Sequence, residues 1–518
     1  MSISNYIGQF QSQPQSMPIP GKNQVENNAG GFVFSLDKWK TLDRFLILGT
    51  EGGTYYASQG KLTEKNTTNL IACIKENGVE VVNRISNISR DGRAPKNDQA
   101  IFALAMSATH GDKETKKHAY AAIPVVCRTG THIFQFTECI QALRGWSRGL
   151  RTGVSKFYEK TEDQVAYGLV KYRQRNGWTH KDVLRLCHAK SHPGLFKWAV
   201  GKGTSENKII LAFEEIQKTD NEQRVIELLK EYNLPWEVLP TERLKSKKIW
   251  EALIPHVGLN ALTRNLGRIA SIELTKSNFC DSTKAIVSRF NEQEIIKSKL
   301  HPLQILTALK IYSQGKGDKG KLTWTPVQAI LDGLEEAFKY SFKAVTPTNK
   351  NIVLALDVSG SMDGNRIANS PLTAREASVC MAMVTAQIEP SHEFCAFSHQ
   401  LVGLQIPKRA SLNEIIKATS QIPFGGTDCS LPILMAMQRK IPVDVFVVYT
   451  DSETWCGNTH PFQALKAYRA LMGRDAKLVV VGMTAINFTI ADPSDSGMLD
   501  IVGFDTATPQ AISEFIKL

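Results

Sequence analysis

Five oxygen-bearing residues in the last third of the chain have the types and spacing of a cation site. Asp357, Ser359 and Ser361 alternate along one short segment, so an extended backbone would turn their side chains the same way. Thr427 follows a Gly-Gly pair, and Asp451 follows an apolar run. Carboxylates and hydroxyls without His or Cys are hard donors, which suit Mg²⁺ first and Mn²⁺ or Ca²⁺ as alternatives, rather than zinc. These residues therefore predict a divalent cation as cofactor.

Other interpretations of this cluster explain less of it. A Ser/Asp turn that only caps a helix would not require Thr427 and Asp451 downstream. A two-metal nuclease would need more carboxylates. His399 and His460 lie in the same third, but no Ser-His-Asp order accompanies them. We therefore expect a binding protein rather than an enzyme, in which a cation with an open position captures a carboxylate from a partner protein.

A second group of candidate residues, in the front two thirds, is basic and helical. Apolar residues such as Leu150 and Val183 lie opposite these residues at helical spacing. The stripes have almost no acidic partners, unlike the usual salt-bridged surface of a helix. Their basic residues are spaced to meet successive phosphates. The predicted stripes are Arg144, Arg148 and Arg151 on a helix over 144–158, Lys171 and Arg175 on a helix ending at Asn176-Gly177, and Lys181, Arg185 and His188 on a third helix.

Stacking and hydrogen-bonding residues accompany the stripes. Arg128, His132, Tyr172 and Trp178 are of the types that contact unpaired RNA bases. For any one of them, a solvated helix face or a satisfied core histidine is the simpler interpretation. Taken with the stripes, they favour an RNA-binding surface.

Charge, cysteine content and hydropathy limit the class of protein. The formal net charge is +12, yet 349–518 holds 13 Lys and Arg against 16 Asp and Glu, so the excess lies in the front part. A polyanion partner, nucleic acid before an acidic membrane surface, would explain this, although a merely lysine-rich domain would too. The nine cysteines form no CxxC pair, which argues against zinc modules and a disulfide framework. No leader or long apolar run is apparent, so we expect a cytoplasmic protein, with the nucleus as an alternative.

The elements that must position these residues divide into three parts. Polar residues rich in Gln, Asn, Ser and Pro predict a disordered tail over 1–30. Apolar spacing of three and four predicts an array of antiparallel helices over 31–345. After a turn-rich stretch, 349–518 alternates strands and helices, which predicts a mostly parallel sheet with helices on both sides. The predicted strands are 352–356, 394–397, 443–449 and 477–482, and the predicted helices are 372–388, 411–421, 430–439, 461–472 and 508–517.

The chain resembles a known family on specific strings. The DxSxS, Thr and Asp pattern is similar to the metal-ion-dependent adhesion site of von Willebrand factor A domains. Over about 40–518 the whole chain resembles the Ro ribonucleoprotein family, in which a TROVE module precedes such a domain. The strings that carry this resemblance are Arg44-Phe45-Leu46, Gly49 to Tyr56, Cys127-Arg128 with Thr131-His132, Lys171 to Trp178, Leu262 to Gly267, Gly425 to Pro432 and Phe488 to Pro493.

The resemblance implies a fold and a function. It implies a ring of HEAT-like helical repeats closed by the A domain, with Y-type small noncoding RNA on the outer surface and single-stranded 3′ ends of misfolded RNAs in a central hole. Such a protein would be monomeric within a small ribonucleoprotein and act in RNA quality control. Lys171, Arg175 and His188 match the family's Y RNA positions. The two serines and the threonine would touch the ion, and the aspartates would act through water.

Two features leave parts of this picture open. The Gln- and Asn-rich tail has no counterpart in the resemblance, and the sequence departs from the family around 190–220 and 275–300, so RNA contacts there are in doubt. The alternative function is a cation-dependent protein-interaction scaffold built on the A domain.

Overall fold

A computed structural model gives the fold. The structure describes residues 12–143, 145–175, 177–318, 320–342, 345–403, 411–420, 422 and 425–518. Two short strands come first, helices occupy the chain from residue 38 to residue 340, and an α/β domain follows. Within the described part of the chain, no helix is long and apolar enough to cross a membrane.

The helical region follows the apolar spacing of its sequence. Several helices begin at a polar residue whose side chain accepts hydrogen bonds from the first turn, as at Asp37, Thr161 and Thr179. The helices are α1 Lys38–Leu48, α2 Gln59–Asp91, α3 Asp98–His110, α4 Lys113–Val126, α5 Gly130–Leu143, α6 Arg148–Ser155, α7 Glu162–Lys171, α8 His180–Cys187, α9 Pro193–Ala199, α10 Lys208–Lys218, α11 Glu222–Glu231, α12 Lys247–Leu253, α13 Leu259–Ser271, α14 Asp281–Ser288, α15 Glu292–Ser298, α16 Pro302–Ser313 and α17 Gln328–Tyr340.

The two ends of this array meet. His301, at the start of α16, donates from Nε2 to the backbone oxygen of Arg93 and to that of Phe504 in the α/β domain, each at 3.1 Å. Gln304 donates to the backbone oxygen of Pro95 at 3.2 Å. Lys310 of α16 forms an ion pair with Glu376 of the α/β domain at 2.6 Å. The helices therefore form a closed array, and the α/β domain lies against the junction.

The α/β domain is built on a six-stranded sheet of order β5-β4-β3-β6-β7-β9. All its pairings are parallel except that of β4 with β5, as predicted for this part of the chain. The strands are β3 Ile352–Asp357, β4 His392–Phe397, β5 Leu401–Val402, β6 Val445–Thr450, β7 Lys477–Gly482 and β9 Met498–Val502. The helices are α18 Gly360–Gly364, α19 Ala374–Ile388, α20 Leu412–Ser420, α21 Leu431–Arg439, α22 Pro461–Met472 and α23 Thr508–Lys517.

Alternate residues of strand β3 pack on opposite faces of the sheet, in two different hydrophobic cores. Leu354 and Leu356 of β3 pack in a cluster that includes α19 and continues into the helical array. Val353 and Ala355 pack on the other face, with α21 and α22. A strand buried on both faces is continuously apolar, which is why β3 and β6 were recognisable in the sequence.

The predicted disordered tail is wrong for residues 12–30. Strand β1 (Gln24–Glu26) pairs with β2 (Phe32–Ser35), and β2 pairs with β8 (Phe488–Thr489) of the α/β domain. Gln15 is fully buried, and its Nε2 donates to Asp428 Oδ1 at 2.7 Å. The polar side chains that suggested disorder form hydrogen bonds with residues that are far away in the sequence. Residues 1–11 lie outside the described residues.

Candidate nucleic-acid interface and cation site

The predicted basic residues lie on and around α6, α7 and α8. Arg148, Arg151, Lys181, Arg185 and His188 are exposed, as are Arg175 and Arg128. Lys171, at the end of α7, is half-buried. Among the described residues, none of their side chains takes part in a salt bridge. We define the basic face as Arg148, Arg151, Lys171, Arg175, Lys181, Arg185 and His188.

The helix predicted over 144–158 is interrupted. Helix α5 ends at Leu143 and α6 begins at Arg148, where Ser147 caps the first turn by accepting from Leu150 N at 3.3 Å. Gly145 has a φ of +87°, a left-handed conformation that a helix cannot contain. Arg148 and Arg151 still lie together on the exposed side of α6, as predicted. Arg144 lies outside the described residues, so its place in the stripe stays a prediction.

The helix predicted to hold Lys171 and Arg175 ends earlier than expected. Its last residue is Lys171, and Arg175 instead forms an antiparallel bridge with Trp178, with N to O distances of 3.0 and 2.8 Å. Gly177 takes a φ of +78° and allows this turn. Arg175 is therefore presented on an exposed turn, whereas His188 is the C-cap residue that directly follows α8, with a left-handed φ of 57°.

A cleft of about 520 Å³ opens beside the basic face. Lys171 Nζ lies 5.6 Å from the ring centroid of Tyr167 and 5.5 Å from that of Tyr172, both of which line the cleft. Sequence reasoning missed Phe157, Lys160 and Tyr167, although aromatic residues next to a lysine were a usable signal. We define the aromatic cleft by its lining residues Arg128, Phe157, Lys160, Tyr167, Tyr172 and His180.

Burial shifts the pKa values of several groups around the cleft. It lowers the pKa of Lys160 from its usual value, and the part of the Arg128 side chain that is covered by protein lowers the pKa of Arg128 in the same way. It also lowers the pKa of His180 to about 4, and Tyr158 shares a hydrogen bond of 2.9 Å with His180 Nδ1. His132, half-buried against Asn97, has a pKa of about 4 through burial and the charge of Arg128. The two histidines are thus neutral at pH 7.

The carboxyl ends of β3 and β6 bring the predicted cation ligands together. Asp357 Oδ1 accepts from Ser359 N at 2.9 Å, and Asp357 Oδ2 accepts from Thr450 Oγ1 at 2.6 Å. The hydroxyls of Ser359 and Ser361 are 3.2 Å apart. Asp451 directly follows β6. All these side chains are buried, so they form a compact oxygen-lined centre.

Thr427 is carried by a loop that is tied to the same centre. Its backbone oxygen accepts from Trp455 N at 3.0 Å, and Gly360 N donates to Gly425 O at 3.4 Å. The Thr427 side chain is 1% exposed. The loops that carry the predicted ligands are thus adjacent, as expected at the carboxyl edge of a parallel sheet.

The charges of this centre fit a divalent cation. Burial raises the pKa of Asp357, and burial with the charge of Asp357 raises the pKa of Asp451. Two buried carboxylates beside three hydroxyls are an environment that a hard cation would compensate. The described residues contain no group of three or more His, Cys, Asp and Glu side chains placed to hold a metal, so any ion here depends on the hydroxyls.

Asn365 is a residue of this centre that no motif indicated. Its Nδ2 donates to Asp451 Oδ2 at 3.1 Å, and its Oδ1 accepts from the backbone N of Tyr55. Tyr55 belongs to the loop between α1 and α2, so the helical array contacts the centre directly. A lone asparagine directly after α18 gives no sequence signal for such a bridge.

Comparisons with known proteins agree with the two-part organisation. Residues 25–310 match the TROVE domain family, and residues 351–516 match the family described as Ro60 vWA domain. RNA-binding protein RO60 of Caenorhabditis elegans is 35% identical over 605 residues, which cover 100% of this chain and 94% of the relative. RNA-binding protein RO60 of Deinococcus radiodurans is 38% identical over 519 residues, which cover 98% of this chain and 97% of the relative.

A solved structure is similar over nearly the same length. The crystal structure of the Deinococcus radiodurans RO (RSR) protein gives a TM-score of 0.69 at 37% identity and covers 93% of this chain and 99% of that chain. The fold class predicted from the sequence, a helical TROVE region followed by a von Willebrand A domain with a mostly parallel sheet, is confirmed. The chain belongs to the Ro60 family.

Proposed function

We propose that the protein is a noncatalytic RNA-binding protein that holds Y-type small noncoding RNA on its basic face. The observation that carries this proposal is the basic face itself, whose exposed cations have no salt-bridge partner among the described residues. Surface cations elsewhere in the array, such as Lys245 and Lys339, pair with a nearby glutamate. Unpaired cations on neighbouring helices are available to phosphates. Two relatives carry the name RNA-binding protein RO60, which supports RNA binding.

The proposal extends to a second mode of binding. The helical array closes on itself, and a closed array can surround a single strand. We propose that single-stranded 3′ ends of misfolded noncoding RNAs enter it, that the protein acts in RNA quality control, and that it does so as a monomer within a cytoplasmic ribonucleoprotein. Labelled RNA incubated with the protein and Mg²⁺ should remain intact, and protein-dependent cleavage would contradict the noncatalytic assignment.

Binding to a structured small RNA tests the basic face. Lys171→Gln/Arg175→Gln/His188→Gln should weaken binding about tenfold or more, because each lost phosphate contact is worth on the order of 1 kcal/mol. The slope of log K against log salt should fall by about two, since two permanent cations are removed. Lys245→Gln/Lys339→Gln removes the same permanent charge elsewhere and serves as the control. Equal affinity of the triple variant and the control would contradict the assignment.

The cation site supports a second function, as a protein-interaction scaffold. Tyr55 and Trp455 are 61% and 40% exposed, and both lie beside the loops that carry the oxygen ligands. A bound Mg²⁺ with an open position would take a partner's Asp or Glu there, with aromatic contacts around it. A short peptide with a central Asp should bind in the presence of Mg²⁺. This binding should be lost when EDTA is added and in the variant Asp357→Ala. Equal binding of the matching Asn peptide would contradict this function.

A further inference from the structure

The loop that follows β6 carries another carboxylate close to the cation site. Glu453 lies two residues beyond Asp451, and its backbone N donates to Asp451 Oδ1 at 3.2 Å. The Glu453 side chain is only 1% exposed. A buried carboxylate is unfavourable unless hydrogen bonds or a cation compensate its charge. Glu453 therefore has the chemistry of a further ligand for a hard cation.

The backbone of this loop turns the Glu453 side chain away from the cation site. Ser452, which lies between the two acidic residues, has a φ of +58°. In extended backbone, side chains two residues apart point to the same side, so a left-handed residue between them breaks that alternation. Accordingly, Asp357, Asp451 and Glu453, all of which the structure describes, are not grouped so that they could hold a metal together.

The chain before α1 holds the Glu453 carboxylate in this position. We call residues 12–35 the N-terminal segment. Asn28 Nδ2 donates to Glu453 Oε1 at 2.7 Å, and Ala29 N donates to Glu453 Oε2 at 3.1 Å. Both carboxylate oxygens thus accept hydrogen bonds from a part of the chain that is more than 400 residues away in the sequence.

The N-terminal segment also holds the left-handed turn itself. Asn27 Nδ2 donates to Ser452 O at 3.4 Å and to Thr454 O at 2.8 Å. A Cβ atom on Gly31 would collide with Thr454 O, so glycine is needed for the segment to lie this close to the loop. A non-glycine residue with positive φ persists only where the surrounding structure maintains it. Here the N-terminal segment supplies the contacts that do so.

We propose that Glu453 is a latent ligand of the cation site, which the N-terminal segment holds away so that one coordination position stays open for a partner's carboxylate. When Asn28 and Ala29 release Glu453, Ser452 relaxes to extended backbone, and Glu453 turns to the side of Asp451 and takes that position itself. The N-terminal segment thus determines whether the site can bind a partner. This inference rests on the proposed cation site and scaffold function.

A double-mutant cycle tests whether Glu453 is the latent ligand. Asn28→Leu replaces the Nδ2 donor with an apolar group of similar size. It should bind Mn²⁺ roughly tenfold more tightly in electron paramagnetic resonance titrations, because an added carboxylate ligand raises the affinity for a hard cation. Glu453→Gln alone should lower the affinity by about threefold at most, since it removes a nearby charge but no ligand. Asn28→Leu/Glu453→Gln should bind no more tightly than Glu453→Gln.

Two further variants separate this effect from a general loosening of the N-terminal segment. Lys22→Met breaks an ion pair with Asp492 in the same segment, at 2.6 Å, and should keep the wild-type affinity for Mn²⁺. Asn28→Ala is a milder change than Asn28→Leu, and it should shift the affinity in the same direction even if the leucine variant does not fold.

The second measurement is the binding of the peptide with a central Asp in the presence of Mg²⁺. Asn28→Leu should bind this peptide about tenfold more weakly than wild type, because Glu453 competes for the open position. Asn28→Leu/Glu453→Gln should restore the binding. Undiminished peptide binding by an Asn28→Leu variant that holds Mn²⁺ more tightly would show that Glu453 does not occupy the partner's position, and would overturn the proposal.

The Mn²⁺ titrations have several outcomes that overturn the latent ligand. These are no gain in affinity in either Asn28 variant, a gain that survives Glu453→Gln, and an equal gain in Lys22→Met. A loss of about tenfold or more in Glu453→Gln alone would make Glu453 a resident ligand and would overturn the proposal as well.

The two measurements also distinguish this inference from the functions on which it rests. If the Mn²⁺ affinities follow the cycle but the peptide does not bind to wild type, the scaffold function is overturned and the latent ligand stands. If wild type binds no Mn²⁺, the cation site is overturned, and the latent ligand with it.

Discussion

Arg44 in the first helix and Asp500 in the last strand of the large sheet form a buried ion pair, with 2.6 Å between Nη2 and Oδ1. Arg44 Nη1 also donates to the backbone oxygen of Phe488 at 3.2 Å. A Cβ atom on Gly482 would lie 2.2 Å from Arg44 Nη2, so glycine is needed for the guanidinium to fit. Burial raises the pKa of Asp500 in spite of Arg44. The pair thus joins the helical array to the α/β domain at a cost in desolvation.

Removing one partner of this pair should lower the stability of the protein more than removing both. Arg44→Met leaves a buried carboxylate unpaired and should destabilise the protein by about 3–5 kcal/mol, whereas Arg44→Met/Asp500→Leu should recover much of the loss. Denaturant midpoints followed by circular dichroism measure this. Arg224→Met, which breaks an exposed pair with Glu215, should change the midpoint little. An unchanged midpoint for Arg44→Met would show that the junction is held by other contacts.

The segment before α1 should be required for the stability of the α/β domain. Gln15→Ala removes the donor to Asp428 and the acceptor of the Thr454 hydroxyl, which should cost about 1–3 kcal/mol because both partners are buried. A lower melting temperature and faster proteolysis within 12–35 would report it. The partly exposed Gln13 provides the control variant Gln13→Ala. Equal melting of the two variants would mean that the segment contributes little.

This segment marks a limit of what composition can reveal. Strands such as β7 and helices such as α22 matched their predicted bounds, because a continuous apolar run or a three- and four-residue spacing is a local property. The burial of Gln15 depends on partners more than 400 residues away. A polar side chain satisfied at such a distance has the same sequence signature as a solvated one. For that reason 12–30 was mistaken for disorder.

The candidate site was predictable where it depends on local spacing and not where it depends on turns or on distant contacts. Asp357, Ser359 and Ser361 follow from their alternation on one segment, and Asp451 from its place after a strand. Asn365 is brought to Asp451 by the turn after α18, which no spacing rule describes. On the basic face, most of the predicted side chains are exposed, but the predicted helix bounds were wrong. Gly145 and Gly177 take positive φ, and a helical repeat alone does not reveal such breaks.

A divalent cation should stabilise the α/β domain through the three hydroxyls. Mg²⁺ at about 100 times its Kd should add about 2.7 kcal/mol to the free energy of unfolding, because only the folded chain assembles the site. Ser359→Ala and Thr427→Ala should reduce this gain and weaken Mn²⁺ binding measured by electron paramagnetic resonance. Ser378→Ala alters another buried serine of the domain, whose hydroxyl donates to Ala374 O. This variant should retain both the gain in stability with Mg²⁺ and the Mn²⁺ binding. Undiminished Mn²⁺ binding by Ser359→Ala would place the ion elsewhere.

His301 should make the closure of the helical array sensitive to acid. Its Nε2 donates to two backbone oxygens, its Nδ1 accepts from Leu303 N at 3.1 Å, and burial lowers its pKa to about 4. The unfolded chain takes up a proton near pH 6.5 and the folded chain does not until about pH 4. The stability is therefore complete above pH 6.5 and is lost as pH falls towards 4, by about 3 kcal/mol from this residue.

The variant His301→Gln isolates this contribution. It should be less stable than wild type at pH 7, because it loses hydrogen bonds at the junction, yet its stability should fall less steeply between pH 6.5 and 4. His132 and His180 have similarly low pKa values, so part of the acid dependence should remain. Hydrogen exchange should show the wild-type junction around Arg93 and Phe504 opening first on acidification. His110→Gln, at an exposed histidine, should keep the wild-type slope, and an equal slope for His301→Gln would contradict a role of His301 in acid sensitivity.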